Sequence, residues 1–555
     1  MKKTIMIAGA AGEGINTSEL FLERMLKREG FFVLSYKNYM SRVRGGFNYA
    51  TITLGTEMVN SCEDRADIII ALNQEALDKS PMMLKKEGFI LASDQLKTDA
   101  VEAHKSILWI EQEPLKAVSS SKNAFSMCAI GVVLKKLGLE QEALKGMTLK
   151  KWSEEVNQTN LAAGTYGFSL LESQIKTEIT HQKETILVNG NQAVALGAMA
   201  SGLGFYSAYP MAPSTGIITY LAAHEREMGL IVEQAEDEIA AIMAAIGAAS
   251  NGVRAMTGTS GGGFALMVEA LGFAAVSEVP LVVCNVQRPG PATGLPTRTE
   301  QADLSFVVTA SQGEFARIVL APLTVEDAFY TTFRAFNLAE KYQVPVIILT
   351  DQLLADSTQT ISKFKTSGLK IERYLMEEVQ THYKRYDFDQ TFGGRKYPGL
   401  DDQTLVMTDS HVHDEYGNET EDEQMTIKLK HKFIRRIEGI KNELNAPIFY
   451  GSESYKTLLI CWGSTFGALK DAVNALNDQG ESVAMLAFSD VFPIKEDVLK
   501  VYLKENVNVI NVEGNAFNQF GKILRMETGV TFTKSINKYD GRPFNASYII
   551  EAYRK

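Results

Sequence analysis

The sequence predicts an α/β protein of three domains, and three observations carry that prediction. Short β-rich runs alternate with helical stretches along the chain, as in strand–helix–strand units around open, mostly parallel sheets. Glycine turns stand between strands and helices, as Thr257-Gly-Thr-Ser-Gly-Gly-Gly263 does near the middle. In an open parallel sheet, such turns form a ligand crevice at the carboxyl ends of the strands. The length, 555 residues, fits three or four domains better than one core.

The first domain opens with a strand at Thr4–Ile7, the glycine loop Gly9-Ala-Ala-Gly12-Glu-Gly14, a helix from Thr17 to Arg28 and a second strand, Phe31–Ser35. This reads as a βαβ opening with glycines at a helix amino end, a place that suits phosphate. The spacing GxxGxG is not the dinucleotide fingerprint, and no acidic residue follows the second strand at the required distance, so nicotinamide binding is not indicated. Arg42 and Arg44, beside Gly45 and Gly46, form a polar turn that serves equally as a phosphate contact or as a solvated turn. Strands follow at Tyr49–Leu54 and Ile68–Leu72, and a polar linker runs from Glu172 to Gln182.

The second domain begins at Ile186-Leu-Val-Asn-Gly190, followed by an Ala/Gly-rich helix. The segment Phe205-Tyr-Ser-Ala-Tyr-Pro-Met-Ala-Pro-Ser-Thr215 reads as a strand stopped by Pro210 and Pro213, with Ser214 or Thr215 free to cap the next helix. The carboxylates Glu233, Glu236, Asp237 and Glu238 lead into a run of Ile, Ala and Met expected to form a fully buried helix. Leu281-Val-Val-Cys-Asn-Val is a strand that delivers Arg288 at its carboxyl end, before a Pro/Gly/Thr loop. Further strands are expected at Phe315–Leu320 and Val344–Asp351, around a helix at Val325–Lys341. From Gly368 to Pro447 aromatic, charged and glycine residues mix, as in an arm laid over other surfaces, closed by a helix at Asp422–Asn442. The last domain is again α/β, with strands at Leu458–Trp462, Val483–Phe488 and Val507–Glu513.

Composition excludes several classes. A net charge of −11 argues against a nucleic-acid binder, which needs concentrated Lys and Arg. The four cysteines, Cys62, Cys128, Cys284 and Cys461, have no CxxC spacing, which argues against a disulfide framework, a zinc site or an iron–sulfur cluster held by this chain. The start, MKKTIMIAGAAGEG, has too short an apolar run for a signal peptide and fits a first strand. No apolar stretch is long enough to span a bilayer, and a cytoplasmic protein is expected.

Taken together, these motifs resemble the 2-oxoacid:ferredoxin oxidoreductases, in particular an alpha subunit with a gamma domain fused at its amino end, as in the 2-oxoglutarate enzymes. The resemblance covers nearly the whole chain. Gly9–Gly14 and Tyr39-Met-Ser-Arg-Val-Arg-Gly-Gly46 carry the gamma part. The alpha part rests on Tyr209-Pro-Met-Ala-Pro-Ser-Thr, the Glu238 helix, Thr259-Ser-Gly, Gln287–Thr297 and Glu300-Gln-Ala-Asp-Leu. His413-Asp-Glu-Tyr-Gly matches in the arm, and Val512-Glu-Gly-Asn-Ala-Phe-Asn-Gln-Phe in the last domain. The implied division is a gamma-type α/β domain at 1–180, a thiamine-diphosphate pyrimidine-binding domain at 185–367, a connecting arm at 368–450 and a transketolase C-terminal-like domain at 451–555.

The resemblance implies that Glu238 is catalytic, hydrogen-bonding the aminopyrimidine nitrogen of thiamine diphosphate, with Tyr209, Pro210, Thr259 and Ser260 also against the cofactor. It implies that Arg288 grips the substrate carboxylate, with Thr293, Ala212 and Ser214 around the substrate, and that Gly12, Gly14, Arg42 and Arg44 contact coenzyme A. One position departs from the pattern. The family's proline loop often reads Tyr-Pro-Ile-Thr-Pro, and its threonine is Ala212 here. Either Ser214, Thr215 or a partner subunit supplies the missing hydroxyl, or the substrate differs.

This chain carries no GDG metal motif and no ferredoxin-like cysteine run. The resemblance places the diphosphate and Mg2+ site and an iron–sulfur cluster on a beta subunit, with a delta subunit in some enzymes, in an αβ pair that is doubled. The implied reaction joins a 2-oxoacid, 2-oxoglutarate foremost, to coenzyme A with loss of carbon dioxide and reduction of ferredoxin. The alternatives are pyruvate or branched-chain specificity, or a non-catalytic binding subunit that kept the fold. A transketolase-like or synthase half is disfavoured by the Arg288–Thr297 loop and the fused gamma domain. The aryl-pyruvate branch of the same family is disfavoured by the absence of ferredoxin-like cysteines.

Overall fold

The computed structural model describes residues 1–40, 45–97, 106–172, 184–380 and 382–555. The chain forms two compact units, Met1–Val188 with Ser357–Lys363, and Asn189–Asp356 with Phe364–Lys555.

The first unit is organised on an eight-stranded sheet. Its strands are β1 (Lys2–Ala11), β2 (Phe32–Asn38), β3 (Gly45–Gly55), β4 (Ala66–Ala71), β5 (Leu84–Ser93), β6 (Ile107–Ile110), β7 (Thr185–Asn189) and β14 (Thr358–Ser362). Their order is β6-β5-β4-β1-β3-β2-β14-β7. The βαβ reading needs one correction. β3 lies between β1 and β2 and runs antiparallel to both, while β1 pairs in parallel with β4. Alternation of apolar residues locates these strands but does not set their order, because both faces of β1 are buried.

The second unit holds a seven-stranded and a five-stranded sheet. The larger contains β8 (Phe205–Ala208), β9 (Ile231–Gln234), β10 (Ala255–Thr259), β11 (Leu281–Gln287), β12 (Ile318–Leu320), β13 (Pro345–Asp351) and β18 (Asp490–Phe492). The order is β18-β12-β13-β11-β10-β8-β9, parallel except for β18. Every residue of β10, β11 and β13 is buried, which explains their near-continuous apolar sequence. The smaller sheet contains β15 (Ile448–Gly451), β16 (Thr457–Trp462), β17 (Val483–Phe488), β19 (Asn508–Glu513) and β20 (Lys534–Asn537), ordered β15-β17-β16-β19-β20.

One hydrophobic core joins these two sheets, running from Ile242, Phe264 and Val283 to Trp462, Phe488 and Phe520. Each large apolar side chain in it contributes about 2 kcal/mol by leaving water. Gln301 adds a polar joint. Its backbone N–H donates to Gly514 O at 2.7 Å, and its side chain donates to Trp462 O at 2.9 Å and accepts from Thr465 at 2.8 Å. The carboxyl ends of the two sheets are thereby fixed to each other.

The segment expected to lie on surfaces as an arm is more deeply embedded than that. Tyr386, Arg395, Lys396 and His413 are all buried. Lys432 and Arg436, from the helix Glu423–Glu443, meet the buried Glu278 at 2.8 and 2.9 Å. Burial alone would raise the Glu278 carboxyl. The two cations overcome that and hold it well below the usual carboxylate range. Mixed charge in this segment therefore marks buried pairing, which composition cannot distinguish from a solvated surface. No helix among the described residues is long and apolar enough to cross a membrane.

Candidate active site

The site lies at the carboxyl edge of the seven-stranded sheet, where β10 and β11 end beside the start of the helix Glu238–Ser250. Asp237 caps that helix by accepting from Ala240 N at 2.8 Å. The cap satisfies an amide that would otherwise be orphaned, and it leaves Glu238, one residue on, out of the capping role. The Glu238 side chain is buried, 4% exposed, and its Oε1 has no hydrogen-bond partner among the described residues. An unpaired polar atom is costly in such surroundings and calls for an explanation.

The turn after β10 shapes this space. A Cβ at Gly263 would stand 2.1 Å from Thr259 Oγ1 and 2.5 Å from Glu238 Oε1. Only glycine lets the backbone approach both groups. Ser260 Oγ, at the same turn, is also buried without a partner among the described residues. The Glu238 helix is not buried on every side as expected. Ile239 and Met243 are 52% and 42% exposed, so one apolar face is open to solvent, and Leu266 of the next helix is 52% exposed.

The proline loop follows β8. Tyr209 is exposed, Pro210 half-buried and Ala212 exposed. Ser214 occupies the N-cap position of the helix Thr215–Met228 but makes no side-chain cap. Its hydroxyl instead donates back to Met211 O at 2.7 Å, correcting the expected capping role. Asn191 Nδ2 donates to Pro213 O at 3.0 Å and pins the loop from beneath. Glu233 and Glu236 are exposed, away from the dry pocket.

Arg288, at the tip of β11, reaches this loop and donates to Ala212 O at 2.6 Å. Burial lowers the guanidinium from its ordinary value, and the negative charge of Asp303 opposes that shift. Thr293 is exposed in the loop beyond. That loop is closed by Leu295 N donating to Pro289 O at 3.0 Å. Gly294 has φ 50°, and a Cβ there would lie 1.9 Å from Pro289 O, so the closure requires glycine. Glu238, Thr259, Ser260, Arg288 and the proline loop thus share one edge of one sheet.

The sequence reading named Glu300 and Asp303 only as part of a motif, without a role, and it missed Asn285 and the roles of Gly261 and Gly263. Asn285 was visible as the polar residue inside an apolar strand, and its Nδ2 donates to Asp303 Oδ2 at 3.2 Å. Burial pushes the Asp303 carboxyl up to about 6, against the opposing effects of Asn285 and Arg288. Burial, then the neighbouring Asp303, pushes Glu300 up to about 7.

In the first unit, Gly12 and Gly14 have φ 97° and 91° at the start of the helix Ile15–Arg28. Between them, the Glu13 carboxylate accepts from Ala10 N and from Asn73 Nδ2, both at 2.7 Å. The chain's own anion therefore lies at the loop where phosphate was expected. Arg42 and Arg44 lie outside the described residues.

Residues 4–170 match the family described as pyruvate ferredoxin/flavodoxin oxidoreductase, and residues 196–432 match pyruvate flavodoxin/ferredoxin oxidoreductase, thiamine diP-binding. Over its whole length the chain is 30% identical to the 2-oxoacid:ferredoxin oxidoreductase subunit alpha of Saccharolobus solfataricus, covering 98% of that protein. The chain belongs to the 2-oxoacid:ferredoxin oxidoreductase family. A shorter relative, the 2-oxoglutarate synthase subunit KorA of Methanocaldococcus jannaschii, is 34% identical over 64% of this chain and 96% of its own. Among solved structures, the 2-oxoglutarate:ferredoxin oxidoreductase from Magnetococcus marinus, with 2-oxoglutarate, coenzyme A and succinyl-CoA bound, aligns with a TM-score of 0.91. It is 30% identical, and the match covers 100% of this chain and 99% of that one. As a member of this oxidoreductase family, the chain is of the alpha type with the gamma-type domain fused at its amino end, and it carries a thiamine diphosphate-binding domain.

Proposed function

We propose that this subunit holds the aminopyrimidine half of thiamine diphosphate and the 2-oxoacid in an enzyme converting a 2-oxoacid and coenzyme A to acyl-CoA and carbon dioxide, with two electrons passed to ferredoxin. The observation that carries this reading is the buried Glu238 Oε1 without a partner among the described residues, set against a turn only glycine can form. The residues fit the cofactor, because a ring nitrogen placed there would satisfy the orphaned oxygen. When bound, thiamine diphosphate supplies the carbon nucleophile and the electron sink for decarboxylation. Glu238 holds a proton at the pyrimidine nitrogen. Thr259 and Ser260 border the same space. Arg288, fixed to Ala212 O, presents the rest of its planar fork to the substrate carboxylate.

On this reading the working unit includes a beta subunit that carries the diphosphate and Mg2+ site and an iron–sulfur cluster, and a delta subunit in some assemblies. The exposed Ile239, Met243 and Leu266 beside Glu238 support a partner covering that face. Coenzyme A is assigned to the first unit through Gly12 and Gly14, with Arg42 and Arg44. On this reading the ranges 1–180, 185–367, 368–450 and 451–555 have gamma-type, pyrimidine-binding, arm and transketolase C-terminal-like roles in a cytoplasmic enzyme, with β7 and β14 of the second range added to the sheet of the first unit.

The substrate favoured is 2-oxoglutarate, supported by the acid and acyl-CoA bound in the Magnetococcus marinus relative. Ala212, exposed at the site without a hydroxyl, favours pyruvate or a branched 2-oxoacid as the second reading. Viologen reduction by the native complex with coenzyme A, compared across these acids, tests both. Fastest reduction with 2-oxoglutarate supports the assignment, and faster reduction with another acid reassigns the substrate. No reduction by any acid, from a complex that holds its iron–sulfur partner, favours the non-catalytic subunit.

A further inference from the structure

The proline loop between β8 and the helix Thr215–Met228 has the carbonyls of Met211, Ala212 and Pro213 all engaged. Met211 O accepts from Ser214 N at 2.9 Å and from Ser214 Oγ at 2.7 Å. Ala212 O accepts from Arg288 at 2.6 Å, and Pro213 O from Asn191 Nδ2 at 3.0 Å. The Ser214 hydroxyl has given its proton to Met211 O, and Ala212 brings only a methyl group, so Met211–Ser214 retain no free side-chain donor. What this stretch still offers is the half-buried Met211 side chain. Its sulfur lies 3.9 Å from Thr259 Oγ1, whose other acceptor is Ser260 O at 3.4 Å. Thr259 Oγ1 and Glu238 Oε1 lie against the same glycine, Gly263. Met211 is thus one hydroxyl away from Glu238, and one residue away from the carbonyl that Arg288 holds.

We propose that Met211 is a specificity-determining residue for the 2-oxoacid, its thioether forming the surface on which the side chain of the acid lies while Arg288 holds the carboxylate. The inference rests on Arg288 and Glu238 having the substrate and cofactor roles given above. Methionine is unbranched, with three rotatable bonds and a polarizable sulfur, so it repacks around partners of different shape. A hydroxyl at position 212 would fix one orientation of the acid through a directed hydrogen bond, whereas a thioether fixes none. An apolar wall also discriminates weakly, by about ten- to two-hundredfold for a missing methylene, and far less than a site built to bond a polar group. The wall therefore accepts straight and branched acid side chains alike, and the longer ones gain most from it.

The test compares native complexes carrying Met211→Ala, Met211→Ile and Arg288→Gln with the wild type. Viologen-linked kcat and KM are measured for 2-oxoglutarate, pyruvate and 3-methyl-2-oxobutanoate, and equilibrium binding of each acid on complexes freed of thiamine diphosphate. Met211→Ala removes the wall. It is expected to lower kcat/KM about tenfold for 2-oxoglutarate and the branched acid, and no more than about twofold for pyruvate, whose single methyl has least surface to lose. Met211→Ile keeps the bulk but makes the wall rigid and branched, so the branched acid is expected to lose about tenfold relative to the two straight acids. That variant carries the test if Met211→Ala does not assemble. Binding to the cofactor-free complexes is expected to change in the same order, which separates a lost wall from a displaced cofactor. An equal loss for all three acids, or unchanged ratios among them, overturns the proposal. If Arg288→Gln leaves the affinity and KM of every acid unchanged, the substrate reading falls and this inference falls with it. A raised KM in Arg288→Gln beside unchanged acid ratios in both Met211 variants overturns the inference alone.

Discussion

Both sheets of the second unit carry a buried glutamate at the carboxyl edge, Glu238 beside the larger sheet and Glu513 at the end of β19 in the smaller. Glu513 is saturated. It accepts from Asn511, Asn515, Phe520 N and Gly521 N at 2.6–3.0 Å and from Trp462 Nε1 at 3.4 Å. Glu238 is buried to a similar depth, and its Oε1 receives no hydrogen bond among the described residues. A buried carboxylate whose hydrogen bonds are complete ties a turn to a helix and has no capacity left for a ligand. One left incomplete destabilises the free chain and can be completed by something that binds. The same parallel architecture thus supplies a closed joint at one edge and an open site at the other, and the difference lies in hydrogen-bond accounting rather than in fold.

Exchanging each glutamate for glutamine is the sharpest way to break the comparison. Glu238→Gln is expected to lower viologen-linked turnover by about 10³-fold, the range of a lost acid–base group, with little change in thermal stability. Near-normal turnover would remove Glu238 from the chemistry. Glu513→Gln should do the reverse, costing about 3 kcal/mol in denaturant unfolding because several buried donors lose their acceptor, while the folded fraction keeps its turnover. A loss of activity without a loss of stability there would erase the distinction.

An effect of similar size, confined to higher pH, concerns Asp303. Its carboxyl moves from an ordinary 3.8 to about 6 in the folded chain. The folded state therefore binds more protons across that window. The stability this group contributes is present below pH 3.8 and is lost as pH rises through about 6. Asp303→Asn removes that loss and should raise stability by about 3 kcal/mol above pH 6, with the gain vanishing towards pH 4, as read from melting curves at several pH values. An equal gain at every pH would mean that ionisation is not its source. Least of all is expected from Thr293→Ala. Its exposed side chain limits the change in oxoacid KM to about twofold, and a tenfold change would place the hydroxyl on the substrate.

The elements around the site were readable because their patterns are local. The strand delivering Arg288, the Glu238 helix and the glycine turn follow from β-rich runs, an apolar stretch headed by carboxylates and a cluster of glycines. Asp303 was visible as a motif residue, but its surroundings were not. It stands 15 positions beyond Arg288, and its approach to Asn285 and Gly261 depends on β10 and β11 lying side by side. The embedding of the arm was hidden for a related reason. Lys432 and Arg436 look like solvated helix residues until Glu278, far away in sequence, is brought between them.

By itself the sequence determined the α/β class, the family and the main strands, helix and turn around the candidate site, because periodicity and short motifs are properties of neighbouring residues. Tertiary structure alone decided the insertion of β3 between β1 and β2, the return of β14 to the first sheet, and which buried carboxylates are satisfied. Strand order and hydrogen-bond completion depend on partners remote in the chain, and no local pattern records which donor reaches which acceptor.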